Sequence, residues 1–93
     1  MSDVSAVQPR RSLIFTPGNR PDMFPKALKT GADIVTVDLE DAIAPQHKDE
    51  ARDKTLALFA NLPETGDIEC MVRVNTIRSA DGLKDLSAII AAD

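Results

Sequence analysis

Residues 34–41 read Ile34-Val35-Thr36-Val37-Asp38-Leu39-Glu40-Asp41. The run is rich in β-branched residues, which suit a packed pleated surface, and it closes on acid. It predicts a buried strand from Ile34 to Leu39 with an acidic mouth. Upstream, Ser12-Leu13-Ile14-Phe15-Thr16 is a continuous rather than alternating run, as expected of a strand buried on both faces of a parallel sheet, and Pro17-Gly18-Asn19 ends it. Downstream, Cys70-Met71-Val72-Arg73-Val74-Asn75 predicts a third strand with polar groups at its end and an arginine inside it.

The intervening segments carry helical spacing. Met23, Phe24, Ala27 and Leu28 share one face and Gly31 follows as a stop. Pro25 must then lie in the first turn, where a missing N–H breaks no helical bond. Pro45 opens a second helix with Ala51, Leu56, Leu58 and Phe59 as apolar contacts and Asn61-Leu62-Pro63 as its end. Its charged residues, Lys48, Asp49, Glu50, Arg52, Asp53 and Lys54, are expected to form a solvated face. Asp81-Gly82 precedes a last amphipathic helix whose apolar face is Leu83, Leu86, Ile89 and Ile90.

The order βαβαβα implies an α/β fold with a parallel sheet and right-handed crossovers, which leaves doubly wound sheets and (β/α)8 barrels. Length is evidence between them. A barrel takes about 250 residues, so three βα units in 93 residues match its use of chain. The expectation is a (β/α)8 TIM-barrel type with the first three βα units present, in a barrel that is incomplete here and exposes apolar edges at its last strand and helices. Residues 1–9 are polar and aperiodic and read as a flexible leader; residues 10–93 form the barrel part.

Composition narrows the function classes. With 43% hydrophobic and 28% charged residues of both signs, the chain is expected to be one soluble domain rather than a disordered segment. No apolar run approaches the roughly 20 residues that span a bilayer, and Met1 to Pro9 lacks the basic start and apolar stretch of a secretory signal, so a cytoplasmic protein without a membrane partner is expected. A net charge of −4, with no Trp or Tyr, argues against nucleic acid. A single cysteine excludes an internal disulfide framework and a cysteine zinc site, and the apolar setting of Cys70 suits a buried thiol better than a nucleophile.

In sheets and barrels of this kind ligands gather at the carboxyl ends of the strands. All three ends are polar: Thr16-Pro17-Gly18-Asn19-Arg20, Asp38-Leu39-Glu40-Asp41 and Arg73-Val74-Asn75. Gly18 would let backbone approach a ligand, and Arg20 offers a planar fork to phosphate or carboxylate. The acidic cluster fits either helix capping and pairing to Arg73, or metal chemistry. An arginine in an apolar strand needs an opposite charge, from Asp38, Glu40 or Asp41 or from an anionic ligand. Lys26 and Lys29 lie near the first turn, where one could reach a phosphate. His47 reads as a surface residue, and Ser12 lacks a His or Asp to activate it. A phosphoacceptor receiver domain using Asp38 fares poorly, because strand one ends in Thr-Pro-Gly instead of acid.

The ordered set Arg11-Ser12-Leu13-Ile14-Phe15-Thr16-Pro17-Gly18-Asn19-Arg20-Pro21, then Gly31-Ala32-Asp33-Ile34-Val35-Thr36-Val37-Asp38-Leu39-Glu40-Asp41-Ala42-Ile43-Ala44-Pro45, then Val72-Arg73-Val74-Asn75, resembles the N-terminal part of the citrate lyase beta subunit family, the CoA-ester lyases of the HpcH/HpaI aldolase superfamily. The resemblance runs from about Arg10 to the end. It implies a (β/α)8 barrel that binds Mg2+ and cleaves or forms a carbon–carbon bond in a 3-hydroxyacyl thioester, giving a 2-oxo acid and an acyl thioester. By position, it implies that Arg73 holds the oxo acid and that Phe15, Arg20 and Lys26 contact a CoA thioester. Asp38, Glu40 and Asp41 would stand beside the metal site and position water or Arg73. The direct Mg2+ ligands, a Glu and an Asp, are expected from strands beyond residue 93, so no catalytic or metal ligand is assigned within the segment. Thr76-Ile77-Arg78-Ser79-Ala80-Asp81-Gly82 departs from the aromatic-containing segment of many members. The resemblance also favours a homo-oligomer and leaves CoA and carrier-protein thioesters both open as partners. A reading of another class is a non-catalytic chain that associates with a partner barrel or with itself.

Overall fold

The computed structural model describes residues 12–62 and 64–92. The expected leader, the start of order near Arg10 and the stop at Pro63 lie outside the described residues. Three strands, β1 (Leu13–Pro17), β2 (Ile34–Asp38) and β3 (Glu69–Arg73), pair in parallel in the order β1-β2-β3. The helices are α1 (Met23–Leu28), α2 (Lys48–Ala60), entered through a 3-10 turn at Pro45–His47, and α3 (Ala80–Ala92). Each element falls where the sequence places it. Pro25 is the third residue of α1, inside the first turn, and Gly31 beyond its end adopts a left-handed φ of 87°.

Register fixes which side chains share a face. Leu13, Phe15 and Pro17 pair with Ile34, Thr36 and Asp38, which pair in turn with Glu69, Met71 and Arg73. Paired residues of parallel strands point the same way, so these nine line one face. The other face carries Ile14, Val35, Val37, Cys70 and Val72, against which α1 packs Phe24, Ala27 and Leu28 and α2 packs Leu58 and Phe59. The Phe24 and Phe59 rings meet at 6.2 Å in a tilted pair. Sequential strand order with helices on one face is the arrangement a (β/α)8 barrel repeats, whereas a doubly wound sheet reverses its order to cover both faces.

Only the central strand is buried on both faces. Val35, Thr36, Val37 and Asp38 are all buried, but Leu13 and Phe15 of β1 and Met71 of β3 are exposed on the uncovered face. The first run was expected to be buried on both faces; it is not, because no layer covers the Leu13–Phe15 side among the described residues. The exposed apolar edges anticipated for the last strand and helices are present.

Two helix faces differ from expectation. On α2, Arg52 is buried and Lys48 half-buried, so neither belongs to a solvated face. On α3, Leu83 and Ile90 are 60% and 66% exposed, and the residues turned inward are Gly82 and Asp85. The reason is local. Gly82 lies so close to the backbone of Asn75 and Thr76 that a side chain would overlap the Thr76 carbonyl, and this approach delivers the Asp85 carboxylate to buried donors. Hydrogen bonds offset the desolvation of those charges, whereas the apolar stripe of Leu83, Leu86 and Ile90 stays outside.

Candidate functional site

The register that pairs Asp38 with Pro17 and Arg73 brings the carboxyl ends of the three strands level. Arg73 donates from Nε to Asp38 Oδ1 at 3.0 Å and from Nη2 to Asp38 Oδ2 at 2.8 Å, a two-pronged fork. Asp38 also accepts the backbone N–H of Glu40 at 2.8 Å and of Ala42 at 3.1 Å, which curls the loop after β2 around its carboxylate. Asp41 and Glu40 stand 3.6 and 3.8 Å from the guanidinium. Phe15, on the same face, lies under it with 4.5 Å from the guanidinium carbon to the ring centre. Arg73 is thus held by an acid at one edge and a ring on one face, and its side chain remains 37% exposed at the open side.

Burial pushes the Asp38 carboxyl up, but the Arg73 fork and the two N–H donors outweigh it and hold it below the usual carboxylate range. The fork likewise holds Arg73 more firmly protonated. Asp38 therefore stabilises the fold above the ordinary carboxylate pKa of about 4 and loses that contribution as pH falls through its lower folded value. Chemical denaturation of the whole protein between pH 6 and 3 is expected to show a steeper loss of stability in the wild type than in Asp38→Asn. Parallel pH curves for the two would contradict the assignment.

Arg20 and Lys26 form a separate group at the entrance to α1. Arg20 forks onto Asp22 at 3.1 and 3.0 Å, with both side chains more than half exposed, and Lys26 is exposed in the last turn of this short helix. Gly18 permits a close approach, though to the protein and not to a ligand. Its N–H donates to the Asp38 carbonyl at 2.9 Å, and a Cβ there would meet Leu39 at 2.7 Å and Thr55 at 2.8 Å. His47 is an exposed partner of Glu50 at 3.4 Å. Cys70 is half-buried against the core, and burial pushes its thiol up, away from nucleophilic use.

A second polar network lies behind the loop and was not foreseen. Asp85, fully buried, accepts Arg52 Nε at 2.6 Å, the Asn75 N–H at 2.9 Å and Asn75 Nδ2 at 2.7 Å. Arg52 reaches Asp49 at 2.7 Å and Asp81 at 3.3 Å as well. The Asn75 side-chain oxygen Oδ1 accepts from Lys48 Nζ at 2.6 Å, and Lys48 also donates to the backbone carbonyls of Leu39 and Glu40. An Asp set among Leu83, Leu86 and Ile89 was the available signal, since an acid turned inward on a helix needs buried donors or a cation.

The family described as HpcH/HpaI aldolase/citrate lyase matches residues 11–93. The chain belongs to this family. It is 39% identical over 83 residues to the citrate lyase subunit beta of Haemophilus influenzae, covering 89% of this chain and 28% of that protein. It is 31% identical over 80 residues to the L-malyl-CoA/beta-methylmalyl-CoA lyase of Rhodobacter capsulatus, covering 86% of this chain and 25% of that one. Among solved structures it is similar to CitE from Mycobacterium tuberculosis in complex with magnesium, acetoacetate and coenzyme A, with a TM-score of 0.69 and 34% identity over 86% of this chain and 28% of that chain. The chain therefore spans between a quarter and a third of the length of these relatives, and its three βα units are part of the HpcH/HpaI barrel.

Membership implies magnesium, and the described residues do not by themselves make a site for it. Among them no group of three or more His, Cys, Asp or Glu side chains could hold a metal ion. Asp38 is committed to Arg73 and to two backbone donors, which leaves Glu40 and Asp41 as the open oxygens. Among the described residues no helix is long and apolar enough to cross a membrane.

Proposed function

We propose that the whole protein is a Mg2+-dependent carbon–carbon lyase acting on a 3-hydroxyacyl thioester of the citryl-CoA or malyl-CoA kind. The observation that carries this reading is the Arg73 fork, oriented by Asp38 and Phe15 at the carboxyl end of an HpcH/HpaI sheet. The hydrogen bonds to Asp38 use Nε and Nη2, and Nη1 is offered to the carboxylate of a 2-oxo acid. Asp38 is an orienting group here; with Arg73 and two N–H groups on its oxygens it is not the base. Phe15 fixes the guanidinium plane, and so the direction in which the acid lies.

In cleavage the 3-hydroxyl gives its proton to a base assigned, like the Mg2+ ligands, to parts of the protein outside the described residues; the bond between its carbon and the thioester α-carbon breaks, and the electron pair passes to the thioester enolate, which takes up a proton to give the acyl thioester. The Arg73 contribution is to hold the emerging oxo acid and neutralise its carboxylate. One guanidinium among three carboxylates leaves local negative charge, which favours a cation arriving with the acid. The Mg2+ ligands are assigned to parts of the protein outside the described residues. Arg20 and Lys26 are proposed to meet thioester phosphates, on CoA or on a carrier protein, with Arg20 leaving Asp22 to do so. A cytoplasmic location and a homo-oligomer belong to the same proposal.

Incubating the whole protein with Mg2+ and malyl-CoA or citryl-CoA, with the released oxo acid trapped as a hydrazone, tests the reading directly. Release with at least one thioester is expected; a folded protein that releases oxo acid from neither would overturn it. The exposed Leu83, Leu86 and Ile90 stripe favours a second reading, a non-catalytic chain that associates with a partner barrel or with itself.

A further inference from the structure

We propose that Lys48 is a positioning residue for the Arg73 site, acting through the peptide groups of the loop that follows β2. Its ammonium donates to the Glu40 carbonyl at 2.7 Å, the Leu39 carbonyl at 3.1 Å and Asn75 Oδ1 at 2.6 Å. An ammonium has three protons, so these acceptors use all of them. Asp38 takes the N–H of Glu40 on the other side of the same residue. Both ends of the Glu40 backbone are thereby held, its N–H by the acid that orients Arg73 and its carbonyl by Lys48.

The orientation of Asn75 follows from its other bonds. Its Nδ2 and backbone N–H both donate to Asp85 Oδ2, so the side-chain oxygen Oδ1 is the atom left to face Lys48. Asp85 is anchored in turn by Arg52. A continuous polar chain therefore runs from the α2–α3 contact through Asp85, Asn75 and Lys48 to the loop that places Glu40 and Asp41 beside the guanidinium. Lys48 spends its bonds on neutral oxygens, so its positive charge remains available to the acidic loop, unlike that of a lysine in a surface ion pair. An arginine could not substitute, because a planar fork does not meet three converging acceptors.

The inference rests on the reading of Arg73 as the clamp for a 2-oxo acid, and the test separates the two. In the whole protein, Lys48→Met is expected to raise KM for the 2-oxo acid in condensation by on the order of ten- to a hundredfold, with KM for the acyl thioester unchanged within about twofold. A merely structural role would lower the melting temperature and the active fraction while leaving both KM values in place, and that outcome overturns the inference. Lys48→Arg serves the same measurement if the methionine variant does not fold. A second readout needs no turnover: hydrogen exchange of the Arg73 Nε–H by NMR is expected to quicken by about tenfold or more in the variant, with the amides of α1 unchanged. If the wild type turns over no thioester, faster Arg73 exchange still supports positioning by Lys48, and unchanged exchange overturns it.

Discussion

Asp85→Ala is expected to destabilise the whole protein by about 3–5 kcal/mol, the range for breaking a buried ion pair from one side. The carboxylate is fully buried and accepts three hydrogen bonds, one from a cation. Removing it leaves Arg52 with Asp49 and Asp81, which partly compensate, but leaves the backbone N–H of Asn75 without its acceptor in a buried setting. Asp81→Ala is the control. That pair is longer, at 3.3 Å, and its acid is about a third exposed, so its loss should cost less than about 1 kcal/mol. Urea denaturation of the two variants beside the wild type decides the matter. Equal costs would mean that Asp85 is not the anchor of the α2–α3 contact.

Arg73→Ala should have the largest effect on activity, a fall in kcat/KM on the order of a hundred- to a thousandfold, as when one partner of a hydrogen-bonded charge pair is removed. Both the fork geometry and the charge contribute. Arg73→Lys keeps the charge but cannot engage Asp38 with two parallel bonds or lie flat on Phe15, so it should recover only a small part of the loss. Initial rates with a saturating thioester and a varied oxo acid make the comparison. The loss is expected to fall mainly on the oxo acid, and an equal loss for the thioester would assign Arg73 a different role.

The strands and the ends of the helices were legible because they depend on local pattern. Ile34 to Val37 is a β-branched run, Pro25 can fit only a first turn, and Gly31 has the freedom a left-handed stop requires. The pairing of Arg73 with the acidic mouth was legible as a choice, since an arginine within a strand demands an opposite charge; the register selected Asp38 from the three candidates. What escaped was tertiary. Helical periodicity assigned α3 an apolar inner face, yet the close approach at Gly82 turned Asp85 inward. Charge pattern assigned Arg52 and Lys48 to solvent, and only the positions of Asp85 and Asn75, 33 and 27 residues away, show where they go. Gly18 misled for a similar reason, because a glycine records that something comes close without recording what.

The most direct test of the central claim is calorimetric titration of the Mg2+-loaded whole protein with pyruvate, a simple 2-oxo acid, in wild-type and Arg73→Ala forms. Saturable binding is expected in the wild type, with a loss of about thirtyfold or more in affinity in the variant, at matched folding. Equal affinities would contradict that claim and remove the Arg73 fork from the substrate site.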